Sequence, residues 1–354
     1  MHSLSSKTER IHGIDFLRVL LSLCAIMIHV LHYGGPRTQA DPSTPEFYAL
    51  WLLGAAITCT VNCFALVSGF VLYGQEFKYT NILRLYFAVL YHGLVITALF
   101  NTILPDTVSQ TNRFMALLPV THSEFWYFTA HFGLFFFVPL LTNGMQSLQK
   151  KQADILIASL FFVFSVLPTA TGKDPFHLQR GYSTLWLMIL FIAGTYLRKY
   201  YAGFKLRKSV LIAVYISSVL LSCFGVVLSV FNPHINGMRL IDYTSPTIVL
   251  AAVAVILLFA SMSVPKFICK ISNFCAPFAF SIYLLHEHPL IRQNLIQDKF
   301  ISILSLPALL QIFSIPAIAL VIWSICFGME CIRRGIFRLL NFDSIIGRLE
   351  GYFQ

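Results

Sequence analysis

The sequence predicts an all-α, polytopic integral membrane protein with about ten transmembrane helices and both termini in the cytoplasm. Three observations predict it. Hydrophobic residues make up 57% of the 354 residues and charged residues only 11%, too little charge to cover a soluble domain of this size. Charge-poor stretches of bilayer-spanning length recur along the chain. The segments joining them alternate between rich and poor in Lys and Arg, as the positive-inside bias requires. That bias also accounts for the net charge of +10, so no nucleic-acid partner is expected.

The first span, about 16–34, follows "MHSLSSKTERIHG". Positive charge before an oily run resembles a signal peptide. The run is long, lacks a clear small-residue cleavage site and contains Arg18, so a retained helix is expected. The second span, 48–73, runs outward to inward and ends in "CFALVSGFVLYG". The third, 84–104, enters the membrane after "FKYTNILRLYF". The fourth, 125–143, opens on "HSEFWYFTAHFGLFFFVPLL". Spans five to eight fall near 155–170, 183–197 (the shortest), 209–231 and 244–263. The ninth, 272–290, ends in "FSIYLLHEHPL", and the tenth, 301–327, contains Pro307 and Pro316, which are expected to kink it.

With the N-terminus inside, the cytoplasmic segments collect Lys7 and Arg10, Lys78 and Arg84, Lys150 and Lys151, the group Arg198, Lys199, Lys205, Arg207 and Lys208, Lys266 and Lys270, and Arg333, Arg334, Arg338 and Arg348. The outer loops hold only Arg37, Arg113, Lys173, Arg180, Arg239, Arg292 and Lys299. A single membrane domain over 1–354 is expected, without internal repeats or a fused soluble domain. Six of the eight cysteines fall in oily runs, while Cys269 and Cys331 sit at cytoplasmic helix ends. Free thiols are therefore expected. Cys59 and Cys63, one helical turn apart, suit packing better than metal binding.

The chemistry begins in the first span, "DFLRVLLSLCAIMIHVLH". Arg18 and His29 are eleven residues apart, three turns plus about 20°, so they share a face about 16 Å apart along the axis. Ser22 and Ala25 lie on the stripe between them, and His32 extends it by one turn. A charge inside a span costs about 3 kcal/mol on insertion scales and usually marks a buried polar pathway. The bland reading of Arg18 is a side chain that snorkels to headgroups, and that of His29 a packed histidine.

Arg84, Ser68 and Gly69 are expected at the cytoplasmic level. Arg18 and Arg84 together would suit an anionic ligand such as a phosphate-bearing cofactor. On the outer side, Trp126 and Tyr127 suit an interfacial aromatic belt. His286, Glu287 and His288 are expected near the outer surface, level with His29 and His32, with Glu287 and His288 readable as wet loop residues. His-Glu-His is not a metalloprotease spacing, and no metal is expected.

Taken in order, these segments resemble acyltransferase family 3, a family of membrane enzymes. Arg18 and His29 look like its arginine–histidine motif in the first helix. "FALVSGFVLYG" is similar to its serine–glycine–aromatic end of the second helix. "EFWYFTAHFGLFFFVPLL" resembles its histidine-x-tryptophan-phenylalanine segment, with Glu124 where histidine is common. "FAFSIYLLHEHPL" looks like its late tyrosine–leucine–histidine segment. One departure is Asn81, where the family often has the first of two arginines three apart; only Arg84 remains.

The resemblance implies a bacterial inner-membrane enzyme that takes an acyl group, usually acetyl, from cytoplasmic acyl-CoA to a hydroxyl of a glycan or lipid-linked sugar. It implies catalytic roles for His29, Arg18 and His286. Arg18, Arg84 and Ser68 would hold the acetyl-CoA, and Trp126, Tyr127, Glu124 and Glu287 would meet the acceptor. An imidazole with an ordinary pKa of about 6.5 suits a general base at neutral pH; a transiently acylated histidine is the other route. The main rival is a transporter or flippase for a glycan or lipid-linked sugar. It would use the same intramembrane charges, but typically shows paired repeats and broken helices at matching places. A glycan polymerase would need a sizeable external loop, and a membrane sensor a signalling domain.

Overall fold

Inside a bilayer the backbone has no water to bond to, so an apolar chain satisfies its own amides by coiling into helices. The computed structural model describes residues 10–121, 125–201, 206–232 and 234–350, and among them every regular element is helical. Glu124, Lys7 and Lys205 lie outside the described residues.

In chain order the helices are α1 (His12–His32), α2 (Pro36–Gln39), α3 (Pro45–Thr58), α4 (Thr60–Leu72), α5 (Thr80–Ile103), α6 (Gln110–Leu117), α7 (Trp126–Ser147), α8 (Lys150–Phe161) and α9 (Leu167–Thr171). They continue as α10 (Thr184–Tyr200), α11 (Lys208–Phe231), α12 (Pro246–Ala260), α13 (Lys266–Cys275), α14 (Ala279–Glu287), α15 (Pro289–Ile291), α16 (Ala308–Leu339) and α17 (Phe342–Glu350). Among the described residues, nine helical stretches are long and apolar enough to cross a membrane. The sixth expected span, 183–197, is not among those nine but is also a helix: α10, with 17 residues.

Local chemistry sets the ends. Ser183 caps α10, its hydroxyl accepting from the Trp186 N–H at 3.2 Å. Ser109 and Asn112 form a reciprocal capping box on α6. Pro36 and Pro246 open α2 and α12, where the missing N–H costs nothing. Gly172, at φ 68°, closes α9 in the left-handed conformation.

Two expectations change here. Pro307 does not kink the last helix but precedes it as its cap, so only Pro316 lies inside α16. The expected span 272–290 starts and ends earlier: the helical stretch runs Lys266–Glu287. A 3-10 turn at Ala276–Phe278 joins α13 to α14, and His288, at φ −54° and ψ 127°, interrupts the helix before Pro289. Pro277 cannot donate to a helical ladder, which tightens the turn there while Ala276 stays helical at φ −56° and ψ −36°; the residue before Pro289, His288, is pushed to extended backbone.

The chain divides into two compact units. The first comprises residues 10–18, 58–77 and 133–276, as far as they are described. In it α4 packs closely on α10: a Cβ on Gly69 would lie 2.0 Å from the Phe191 carbonyl oxygen, and one on Gly194 2.0 Å from that of Leu66. Small residues permit this approach where no hydrophobic force drives helix association. Asn62 adds a buried polar tie, donating to the Tyr243 carbonyl at 2.7 Å and accepting from the Trp186 indole at 3.2 Å.

The second unit comprises 19–57, 78–132 and 277–350. The outward face of α16 is apolar, with Leu309, Phe313, Leu320, Val321, Ile325 and Ile332 all exposed, as a lipid-facing helix requires. None of the eight cysteines, all among the described residues, is in a disulfide.

Candidate active site

The second unit gathers four ionisable side chains around the C-terminal end of α1. Unbroken from His12 to His32, α1 carries His29 in its last turn. His286 and Glu287 end α14, where His288 and Pro289 stop the helix. Arg292 opens a wide helical turn, Arg292–Ile296, with i to i+5 hydrogen bonding, a local irregularity often found at functional sites.

Distances fix how these groups share protons. His286 Nδ1 lies 2.6 Å from the Ile282 carbonyl oxygen. A carbonyl only accepts, so that nitrogen carries the proton and His286 Nε2 is a lone pair. Nε2 faces His29 Nδ1 at 2.9 Å. Two lone pairs cannot face each other, so His29 Nδ1 donates. The remaining nitrogen of a neutral His29, Nε2, is then the basic one; the tautomers are assigned from the network. Glu287 Oε2 is also 2.9 Å from His29 Nδ1. It lies off the N–H line and makes no aligned hydrogen bond. Its other oxygen accepts from Arg292 Nη1 at 2.5 Å.

Burial corrects the expected setting. His286 is 0%, Glu287 1% and His288 2% exposed, so none is a wet loop residue. Glu287 Oε2 lies beside His29 instead of facing open space. His29, whose side chain is 16% exposed, is the more open member. His29, His286 and Glu287 each bring a ligand atom to within 4.8 Å of the others, a spacing at which a divalent metal can be held. The direct hydrogen bond between the two imidazoles links them into a relay with Glu287 beside it.

Behind His286 lies an aromatic layer. Tyr127 stacks on His131 at 5.6 Å and meets Tyr283 edge-on at 5.8 Å, and Tyr283 meets His286 at 6.2 Å. Tyr127 is buried, not an exposed belt residue, and packs behind the relay. Trp126 opens α7, edge-on to Tyr127 at 5.4 Å, and is only partly buried.

The stripe between Arg18 and His29 is packed at Ser22, whose hydroxyl donates to the Val19 carbonyl and accepts from the Trp323 indole at 2.8 Å. In the first unit, Arg18 lies 3.7 Å from Asp15, which also accepts from Arg10 at 2.6 Å. Asp15, three residues before Arg18 on α1, offsets its charge and went unmarked in the sequence. The Ser68 hydroxyl donates to the Phe64 carbonyl at 2.9 Å. Arg84, in the second unit, bonds Asp343 and Asn81, each at 3.1 Å.

Sequence reasoning also missed a second buried cluster. Glu330, 0% exposed, accepts four hydrogen bonds: two from Arg333, one from Arg334 and one from His92 across from α5. Arg334 also donates to the Pro277 carbonyl at 2.7 Å and lies 3.9 Å over the Phe278 ring. It thereby fixes the turn from which α14 starts. The available signal was "ECIRR", which puts both arginines within one turn of the glutamate.

No curated protein and no solved structure matches the chain significantly. The family model described as an acyltransferase domain does match, over residues 11–329, nearly the whole chain. That stretch holds His29, the relay and both units' helices through most of α16, and with it the protein belongs to acyltransferase family 3.

Proposed function

We propose that this membrane acyltransferase is an O-acyltransferase of a bacterial inner membrane. It moves an acyl group, acetyl by family expectation, from cytoplasmic acyl-CoA to a hydroxyl of a cell-surface polysaccharide or its lipid-linked precursor. The observation that carries the reading is His29, whose Nδ1 is committed to His286 with the Glu287 carboxylate beside it, and whose Nε2 is left as a base. A transporter has no need of a histidine held in one tautomer.

In the proposed reaction, His29 Nε2 takes the proton of the acceptor hydroxyl as its oxygen attacks the thioester carbonyl. The carbon–sulfur bond breaks, and the imidazolium returns the proton to the CoA thiolate, so CoA leaves as the thiol. Glu287 stabilises the transient imidazolium by its charge. Arg18 and Arg84 are each held by a single carboxylate and keep unspent guanidinium donors suited to CoA phosphates. Outer-face hydroxyls of a glycan are the acceptor class.

The test is acylation of the surface glycan in cells expressing matched membrane levels of each variant. His29→Ala is expected to bind acyl-CoA but to lose about 100- to 10,000-fold in transfer, the usual loss on removing a general base. Arg18→Ala is expected to lose acyl-CoA binding itself. Shifting the histidine to position 28 or 30 is expected to fail, since about 100° of rotation turns it off the face. Near-normal acylation by His29→Ala would sink the mechanism.

A further inference from the structure

Glu287 places a buried carboxylate 2.9 Å from the imidazole that the proposed mechanism uses as a base. Left alone, a negative charge so close attracts the positively charged form of the ring over the neutral one. A histidine held as imidazolium has no lone pair to offer. Something must compensate Glu287 at rest, and the position of Arg292 suits it to do so.

Arg292 donates to Glu287 Oε1, and its guanidinium carbon lies 5.0 Å from the Tyr33 ring centre. Tyr33 in turn lies against His29, with ring centres 5.3 Å apart. The chain after Arg292 is tied to the same helix end: the Asp298 N–H donates to the Tyr33 carbonyl at 2.9 Å and the Phe300 N–H to the Gly34 carbonyl at 3.0 Å. Arg292 is thus braced between the carboxylate and the end of α1. His29 is faced by His286 and Glu287 from α14, by Arg292 from the turn beyond α15, by His32 on its own helix and by Tyr33 just beyond that helix; Arg37 acts on His32. Of these, Glu287 is the one anion.

We propose that Arg292 is a positioning residue that sets the resting charge of the relay. By compensating Glu287 it leaves His29 neutral, with Nε2 available, while the carboxylate remains close enough to stabilise the imidazolium formed during transfer. The proposal rests on the reading of His29 as the base, but its test needs neither acyl donor nor acceptor.

Diethyl pyrocarbonate carbethoxylates only the unprotonated imidazole. Its rate at His29 can be followed in the full-length chain in detergent, with tandem mass spectrometry separating His29 from His32. Near neutral pH, wild type and Arg292→Lys are expected to label at similar rates. Arg292→Met is expected to label at least about tenfold more slowly and to recover at alkaline pH. The double variant Glu287→Gln with Arg292→Met, which removes both charges, is expected to label at close to the wild-type rate. Wild-type labelling of Arg292→Met near neutral pH would overturn the proposal. So would slow labelling at every pH that the double variant does not relieve, because the arginine would then only support the fold. Failure of the general-base reading would instead appear as transfer by His29→Ala, with the labelling pattern unchanged.

Discussion

His29 and His131 both stand inside apolar helices, and their neighbours separate them. His131 is buried and stacked on Tyr127, whereas His29 meets His286 and Glu287 with polar atoms. The same contrast holds among the carboxylates. Asp343, exposed beside Arg84, belongs to a class of ion pair worth about 0–1 kcal/mol. Glu330 is fully buried under four donors. Glu330→Ala would strand Arg333 and His92, so it is expected to destabilise by about 3–5 kcal/mol. Glu330→Gln, which keeps two acceptor lone pairs on its oxygen, is expected to lose less. Thermal unfolding of the purified variants in detergent measures both, and wild-type stability of Glu330→Ala would contradict the network.

At the scale of the element, glycine spacing controls which helices can touch. Gly69 was singled out in the sequence for its place beside Ser68 near the cytoplasmic end of the second span. Its structural work is to let α4 and α10 approach, together with Gly194. Gly194→Ala places a methyl against the Leu66 carbonyl and is expected to cost about 1–3 kcal/mol through overpacking. Gly328→Ala, in α16 with nothing within 4 Å of the added carbon, serves as the control. It is expected to be neutral or stabilising by about 0.5–1 kcal/mol from helix propensity. Equal melting temperatures for the two variants would remove the close-approach argument. The interrupted ninth span belongs to this scale too: two prolines, Pro277 and Pro289, bracket α14 and give His286 and Glu287 a short helix of their own.

For the molecule as a whole, the distribution of Lys and Arg predicts the orientation. Reporter fusions after Arg338 and within 198–208 are expected to report cytoplasm, and fusions within 171–182 the exterior. A C-terminus on the outer side would undo the proposed assignment of donor and acceptor to opposite faces. Part of the charge has a structural use as well. Lys199, counted toward topology, donates to the carbonyls of Met145, Gln146 and Leu148 and so satisfies the open end of α7.

By itself the sequence determined the class, the approximate spans, the family and the identity of His29, Arg18 and His286 as candidates. Apolar length, charge bias and local spacing are properties of the chain read one window at a time, and they survive without knowledge of any partner. Only the tertiary structure decided what those candidates touch. That His29 meets a residue 257 positions away, that Glu287 is buried beside His29, and that Glu330 anchors α5 to α16 through His92 all depend on packing between distant segments. A carboxylate beside a proline reads as loop when solvent is assumed. It becomes a buried charge partner only when helices close around it, because burial and hydrogen-bond direction, which fix its chemistry, are set by neighbours the local sequence does not name.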